Sequence, residues 1–199
     1  IKDRVNTKKS IEAGRDAQRK SIVLLENNGA LPLKKGMKIF VDGLDSNIAK
    51  DFGVLVKDPS DADVIIMYIH TVFNGNQESG LNRVFDNLLS TLFPNGDLNF
   101  NSEIHTRVEN YSKDKELIVV VDLNRPAILE DIKKLSSSLI GTFGVSDRIM
   151  FEGIFGEFSP TGKLPFEIPS SMESVLNQKE DVPDDSLNPT YEMGYGISY

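Results

Sequence analysis

From residue 38 onward the apolar positions fall in short continuous runs separated by stretches of helical spacing, the pattern of a largely parallel α/β sheet buried on both faces. Runs at 38–41, 54–56, 64–69, 117–123 and 139–143 predict strands, and the stretches 47–52, 81–92, 102–112, 127–135 and 146–155 predict helices. Upstream, residues 7–27 read as one helix. Thr7 stands at its N-cap, and Ile11, Gly14, Ala17, Ser21, Leu24 and Leu25 recur at spacings of three or four, with most charges on the other positions. Asn27, Asn28 and Gly29 are stop signals, and Leu31-Pro32-Leu33 is extended because proline biases its predecessor toward β geometry. A strand-to-helix turn is predicted at 122–126, with Pro126 as the first helical residue. Beyond Ser159, prolines at 160, 165, 169, 183 and 189 predict a long, mostly irregular tail. No internal repeat and no low-complexity tract interrupts this order.

A chain of 199 residues is long enough for one packed domain with an attached arm, so we divide it into an arm at 1–37 and a domain at 38–199. Apolar residues make up 39% and charged residues 26%, and no apolar stretch approaches the roughly 18 residues of a membrane span, so a soluble cytoplasmic or secreted protein is expected. Any signal peptide is expected upstream of Ile1. The net charge of −8 is the wrong sign for a chain whose main partner is a phosphate backbone, which argues against nucleic acid. The charge is uneven: residues 1–38 carry ten basic and four acidic side chains, the remaining 161 carry twelve and twenty-six. Cysteine is absent, which removes disulfides, thiolate nucleophiles and cysteine-ligated metals.

Several chemistries lose their support on motif grounds. No Walker A sequence and no strand-linked G-x-G-x-x-G is present. Gly144-Val145-Ser146-Asp147 has the look of a nucleophile elbow, but Arg148 occupies the place of the second glycine. Ser146 reads better as an N-cap, with Asp147 favourable at the positive end of the helix. His70 ends the strongest predicted strand, where open α/β sheets place their sites, whereas His105 reads as a surface residue. The segment after that strand, from Thr71 to Gly80, holds Asn74, Asn76, Gln77, Glu78 and Ser79. Amides donate and accept at once and so match sugar hydroxyls, although the same composition suits a solvated loop.

Motifs at the two ends carry a family resemblance. The segment 21–33, Ser-Ile-Val-Leu-Leu-Glu-Asn-Asn-Gly-Ala-Leu-Pro-Leu, resembles the "VLLKN…LPL" entry into the second domain of glycoside hydrolase family 3 enzymes, the β-glucosidase family. Leu123-Asn124-Arg125-Pro126 is similar to the strand-to-helix turn of that family. The segment 155–165, Phe-Gly-Glu-Phe-Ser-Pro-Thr-Gly-Lys-Leu-Pro, resembles its "GxxxPxGKLP" signature, and 193–199 its closing "FGYGLSY". The matches keep the family order from about residue 17 to the last residue, and are loose at 80–114. Read as residues, Gly162 suits a turn of positive φ after Pro160, and Lys163 can bridge to nearby carboxylates or carbonyls.

The resemblance implies a three-layer α/β/α sandwich, flavodoxin-like, with a mostly parallel sheet, an N-terminal helical arm and an irregular Pro-rich C-terminal tail. It further implies a retaining, exo-acting β-glycosidase of β-glucosidase type, which needs a carboxylate nucleophile and an acid/base about 5–5.5 Å apart. The family's nucleophile belongs to a (β/α)8 barrel of about 250 residues that precedes this domain. The chain is therefore expected to be the second domain alone, inactive without that barrel, with a β-glycoside or oligosaccharide as substrate and no metal or organic cofactor. Glu78 matches the position of the family's acid/base, with Asn74, Asn76, Gln77 and His70 as sugar contacts and Glu103, Asp97 and Glu152 as weaker competitors. Arm and tail are expected to pack between domains, their apolar side chains partly exposed or in self-contact. Rival readings are a noncatalytic carbohydrate-binding or interaction module and a flavodoxin-like domain for an anionic small molecule. The last lacks a glycine-rich phosphate cradle.

Overall fold

A computed structural model describes residues 7–71, 97–179, 181–182 and 184–199. Six strands form one sheet: β1 Val23–Asn27, β2 Lys38–Asp42, β3 Val54–Leu55, β4 Val64–His70, β5 Glu116–Asp122 and β6 Ser138–Thr142. The order across the sheet is β1-β6-β5-β4-β2-β3, parallel throughout except for β1, which runs antiparallel to β6 at one edge. The central strands are near-continuous β-branched and aliphatic runs because both of their faces are covered. On one face, Ile65, Met67, Val119 and Val121 pack with Val108 and Ile132. On the other, Val64, Ile66, Ile118 and Val120 pack with Ala49, Ile149 and Phe151. The helices that supply these side chains are α2 Ser46–Ala49, α3 Ser102–Ser112, α4 Glu130–Leu135 and α5 Asp147–Ile154; α1 Lys8–Lys20, α6 Met172–Leu176 and a single 3-10 turn at Pro59–Asp61 complete the set among the described residues.

The single helix predicted over 7–27 is two elements. Thr7 caps α1 as expected, its side chain accepting from the Ser10 amide, but the helix stops at Lys20. Ile22, Val23, Leu24 and Leu25 are each at most 1% exposed and alternate between the two cores. Four consecutive apolar residues cannot all turn inward from one surface helix, whereas an edge strand buries them alternately on both faces. No residue of α1 itself is buried. Arg15 and Arg19 join it to α5 through the carboxylate of Glu152, at 2.7 and 3.5 Å.

Two further expectations are corrected by backbone pairing. The helix predicted at 127–135 begins only at Glu130, and Pro126 is not its first residue. The Ile128 amide donates to the Leu98 carbonyl, and Ala127 and Leu129 are buried, so 126–129 serve the approaching 97–98 segment rather than a helical turn. Gly162 is not a positive-φ glycine. A Cβ there would lie 2.3 Å from the carbonyl oxygen of Ile22, so the requirement is close approach of two backbones. Ser146 stands at the N-cap of α5, but its side chain makes no cap bond; its amide donates to Gln18 instead.

The tail is laid onto β1. The Gly162 amide donates to Ile22 and the Ile197 amide to Leu24, while Lys163 Nζ reaches the Gly196 carbonyl at 2.6 Å. The apolar side chains of 22–33 are satisfied within the domain, including Leu31 and Leu33. The exposed large apolar residues lie mainly farther along the tail, at Leu176, Val182, Leu187 and Met193.

Candidate functional site

From β2 the chain steps outward to β3, then crosses back to β4 and continues through β5 to β6 in the opposite direction. The reversal falls between β2 and β4, and open α/β sheets bind ligands outside the carboxyl ends of the strands at such a point. The strand ends there are polar after uniformly apolar interiors. In register, His70 of β4 faces Asp122 of β5, and Asp122 faces Thr142 of β6, forming one row across three strands.

Asp122 is the centre of that row. Its side chain is 8% exposed, and its Oδ2 stands 3.2 Å from His70 Nδ1 and accepts from Asn124 Nδ2 at 2.8 Å. Among the described residues its Oδ1 has no hydrogen-bond partner, nor have the buried hydroxyls of Thr142 and Thr71. Unpaired buried polar atoms are uncommon, and three of them at adjoining strand ends mark this end of the sheet as different from a packed core. The His70 imidazole is 71% exposed and lies against Tyr68, ring centroids 5.0 Å apart and nearly perpendicular. Burial pushes the Tyr68 hydroxyl up to about 12, with the charges of Asp122 and Asp147 adding to the effect. At the end of β2, Asp42 accepts from Arg107 and, at 3.1 Å, from the hydroxyl of Tyr111, both on α3.

Of the residues singled out from the sequence, His70 is placed at this end of the sheet. Glu78, Asn74, Asn76 and Gln77 lie outside the described residues, as does the helix predicted at 81–92. Glu103 is an exposed residue in the first turn of α3. Asp97 accepts from the amide of Asn99, an Asx-type turn. Glu152 is buried in the ion pairs that hold α1, a structural role. His105 is half-buried rather than a plain surface residue, beside Glu109, Asp131 and Lys134. Sequence reasoning missed Asp122, Asn124 and Tyr68; the available signal was a carboxylate closing an otherwise apolar run. Among the described residues no group of three or more His, Cys, Asp or Glu could hold a metal ion.

Residues 49–199 match the family described as the glycosyl hydrolase family 3 C-terminal domain. The chain is 33% identical over 185 residues to a periplasmic beta-glucosidase/beta-xylosidase of Dickeya chrysanthemi, an alignment covering 92% of this chain and 28% of that protein. It is 31% identical to beta-glucosidase C of Emericella nidulans, covering 95% of this chain and 30% of that protein. The chain thus spans less than a third of the length of these curated relatives. Its fold is similar to that of a beta-glucosidase from Listeria innocua, with a TM-score of 0.73 at 17% identity over 98% of this chain and 34% of that one. It is also similar to beta-glucosidase 3B from Thermotoga neapolitana, with a TM-score of 0.70 at 16% identity over 98% and 39% of the two chains.

Proposed function

Since the chain belongs to glycosyl hydrolase family 3, as its C-terminal domain, we propose that it serves as the second domain of a retaining, exo-acting β-glycosidase of β-glucosidase type. In this reading it covers the mouth of a (β/α)8 barrel and hydrolyses O-glycosyl bonds only together with that barrel. The observation that carries the reading is the extent of the match: 92% of this chain aligns with 28% of a beta-glucosidase/beta-xylosidase, so the relatives hold ample length for a barrel of about 250 residues.

Glu78 is the proposed acid/base. It follows β4 in the sequence by eight residues, in the connection that begins where that strand ends at His70. A general acid has to hold its proton near neutral pH, which requires a carboxyl raised by burial or by a neighbouring charge; a barrel packed across the interface supplies the burial and its nucleophile the charge. The nucleophile then attacks the anomeric carbon as Glu78 protonates the leaving oxygen, and water resolves the covalent intermediate with Glu78 as base. Asn74, Asn76, Gln77 and His70 bind hydroxyls of the β-glycoside. No metal or organic cofactor enters this chemistry. No helix among the described residues is long and apolar enough to cross a membrane.

The test compares nitrophenol release from aryl β-glycosides by the 199-residue chain and by the chain joined to its barrel. Turnover is expected only from the second. Glycosidase turnover by the isolated chain would overturn the division of labour, and sugar binding without turnover in both forms would establish a noncatalytic binding module.

A further inference from the structure

We propose that Asp122 is a positioning residue that fixes His70 as its Nδ1–H tautomer, so that His70 Nε2 is presented to the ligand as an acceptor for a hydroxyl. The part of this proposal that concerns the ligand rests on the glycosidase reading; the tautomer stands on geometry alone.

The argument begins with the carboxylate. An ionised carboxylate only accepts, so the 3.2 Å approach of Asp122 Oδ2 to His70 Nδ1 requires the hydrogen to sit on Nδ1. In a neutral imidazole the other nitrogen is then a lone pair. Free histidine prefers the opposite tautomer, so a protein that needs Nε2 as an acceptor has to hold Nδ1–H with a partner. Asp122 meets that need with a fixed geometry. It is buried, its Oδ2 is tied from behind by Asn124 at 2.8 Å, and its backbone carbonyl accepts from the Thr71 amide at 3.3 Å, locking the two strand ends in register. Tyr68 sets the second angle of the ring by its edge contact.

Three features separate this arrangement from a histidine satisfied within a core. The carboxylate is 8% exposed while the imidazole is 71% exposed, so the buried partner serves the exposed one. The pair lies beside the reversal point of the sheet, where an α/β domain meets its ligand. No contact among the described residues engages Nε2. A polyol is the matching ligand class, because a hydroxyl can donate to Nε2 while its oxygen remains free to accept.

Histidine occurs only twice in the chain, which makes a nitrogen-15 histidine spectrum directly readable once His105→Ala identifies the second ring. At alkaline pH, His70 of the 199-residue chain is expected as the Nδ1–H tautomer. Asp122→Ala is expected to shift it toward the Nε2–H form, and Asp122→Asn, whose amide oxygen still accepts, to retain it. An Nε2–H tautomer in the wild-type chain would overturn the proposal even if Asp122→Ala fails to fold. In the chain joined to its barrel, His70→Ala is expected to lower kcat/KM for cellobiose by roughly 2- to 13-fold, mainly through KM, as loss of one neutral hydrogen bond does. Asp122→Ala should match it, Asp122→Asn should recover most of the loss, and the double variant should be no worse than His70→Ala. An active wild type with an unaltered His70→Ala variant would overturn the ligand contact alone, whereas an inactive wild type would count against the glycosidase reading and leave the tautomer result standing.

Discussion

A Cβ placed on Gly162 would stand 2.3 Å from the carbonyl oxygen of Ile22, so the tail crosses β1 at a separation that only glycine permits. The crossing is repeated one layer out, where a Cβ on Gly196 would meet the Gly162 carbonyl at 2.5 Å. These contacts give the two C-terminal sequence motifs a common physical cause. Both hold the tail against an edge strand that would otherwise expose unpaired backbone.

Gly162→Ala is accordingly expected to destabilise the domain by about 1–3 kcal/mol, the range for forcing extra volume into a packed site. Urea unfolding measures the loss, and hydrogen exchange at the Ile197 amide, which donates to Leu24 at 2.8 Å, reports whether the tail lifts first. An unchanged midpoint with normal protection at Ile197 would show that the two backbones can separate freely.

The ion pairs of Glu152 predict a local effect. Its carboxylate is 6% exposed, whereas Arg15 and Arg19 are 39% and 28% exposed, so the buried partner is the one that cannot be replaced by water. Glu152→Gln is expected to cost about 1–2 kcal/mol after allowance for the solvent screening of the arginines. Because α1 buries no residue of its own, helicity at 8–20 should fall while the sheet core stays protected. Uniform loss of protection across the sheet would contradict this assignment.

Alkaline pH should weaken the fold through its tyrosines. Burial is the first cause that raises Tyr68 and Tyr199 to about 12, and burial together with the Glu26 carboxylate raises Tyr191 further. Folded-state values above the unfolded value near 10 mean that the unfolded chain loses these protons first. The stability they contribute is therefore complete below about pH 10 and is lost as pH rises from there through the folded-state values. The urea midpoint should fall between pH 10 and 12, and Tyr191→Phe should flatten that slope. Its hydroxyl donates to Glu26 Oε1 at 3.0 Å, so the same variant should cost about 0.5–1.5 kcal/mol at neutral pH.

How much of this was legible in the sequence follows from which interactions are local. The helix at 102–112 was readable to the residue, since Asn101 caps it by accepting from the Ile104 amide and the apolar spacing needs no other part of the chain. β4 and β5 were readable because seven-residue strands buried on both faces leave an unbroken apolar run. β1 was not, because Leu24 and Leu25 also fit a helical stripe and only pairing with β6 decides between the two. Gly162 was singled out correctly for the wrong reason: its neighbour is Ile22, 140 residues away in the chain, and no local turn rule refers to it. The row His70, Asp122, Thr142 depends on the register of three strands, which is a tertiary quantity. A lone histidine and a lone aspartate at separate strand ends become a pair only after the sheet has formed.

The last prediction concerns Glu78 in the chain joined to its barrel. Glu78→Ala should remove proton donation to the leaving oxygen while sparing the nucleophile. Substrates with poor leaving groups, such as cellobiose, then lose about 10²- to 10⁴-fold, the range that general acid catalysis contributes. A nitrophenyl glycoside, whose leaving group departs without protonation, should keep most of its first step and accumulate the covalent glycosyl-enzyme. Azide attacks that intermediate without a general base, so added azide should restore turnover and yield a glycosyl azide. A glutamate that only hydrogen-bonds the sugar would instead slow both substrates by similar factors and give no azide product. That pattern would withdraw Glu78 from the acid/base role, and, because His70 is tied to Asp122 independently of Glu78, it would leave the hydroxyl contact at the end of β4 to be judged on its own variants.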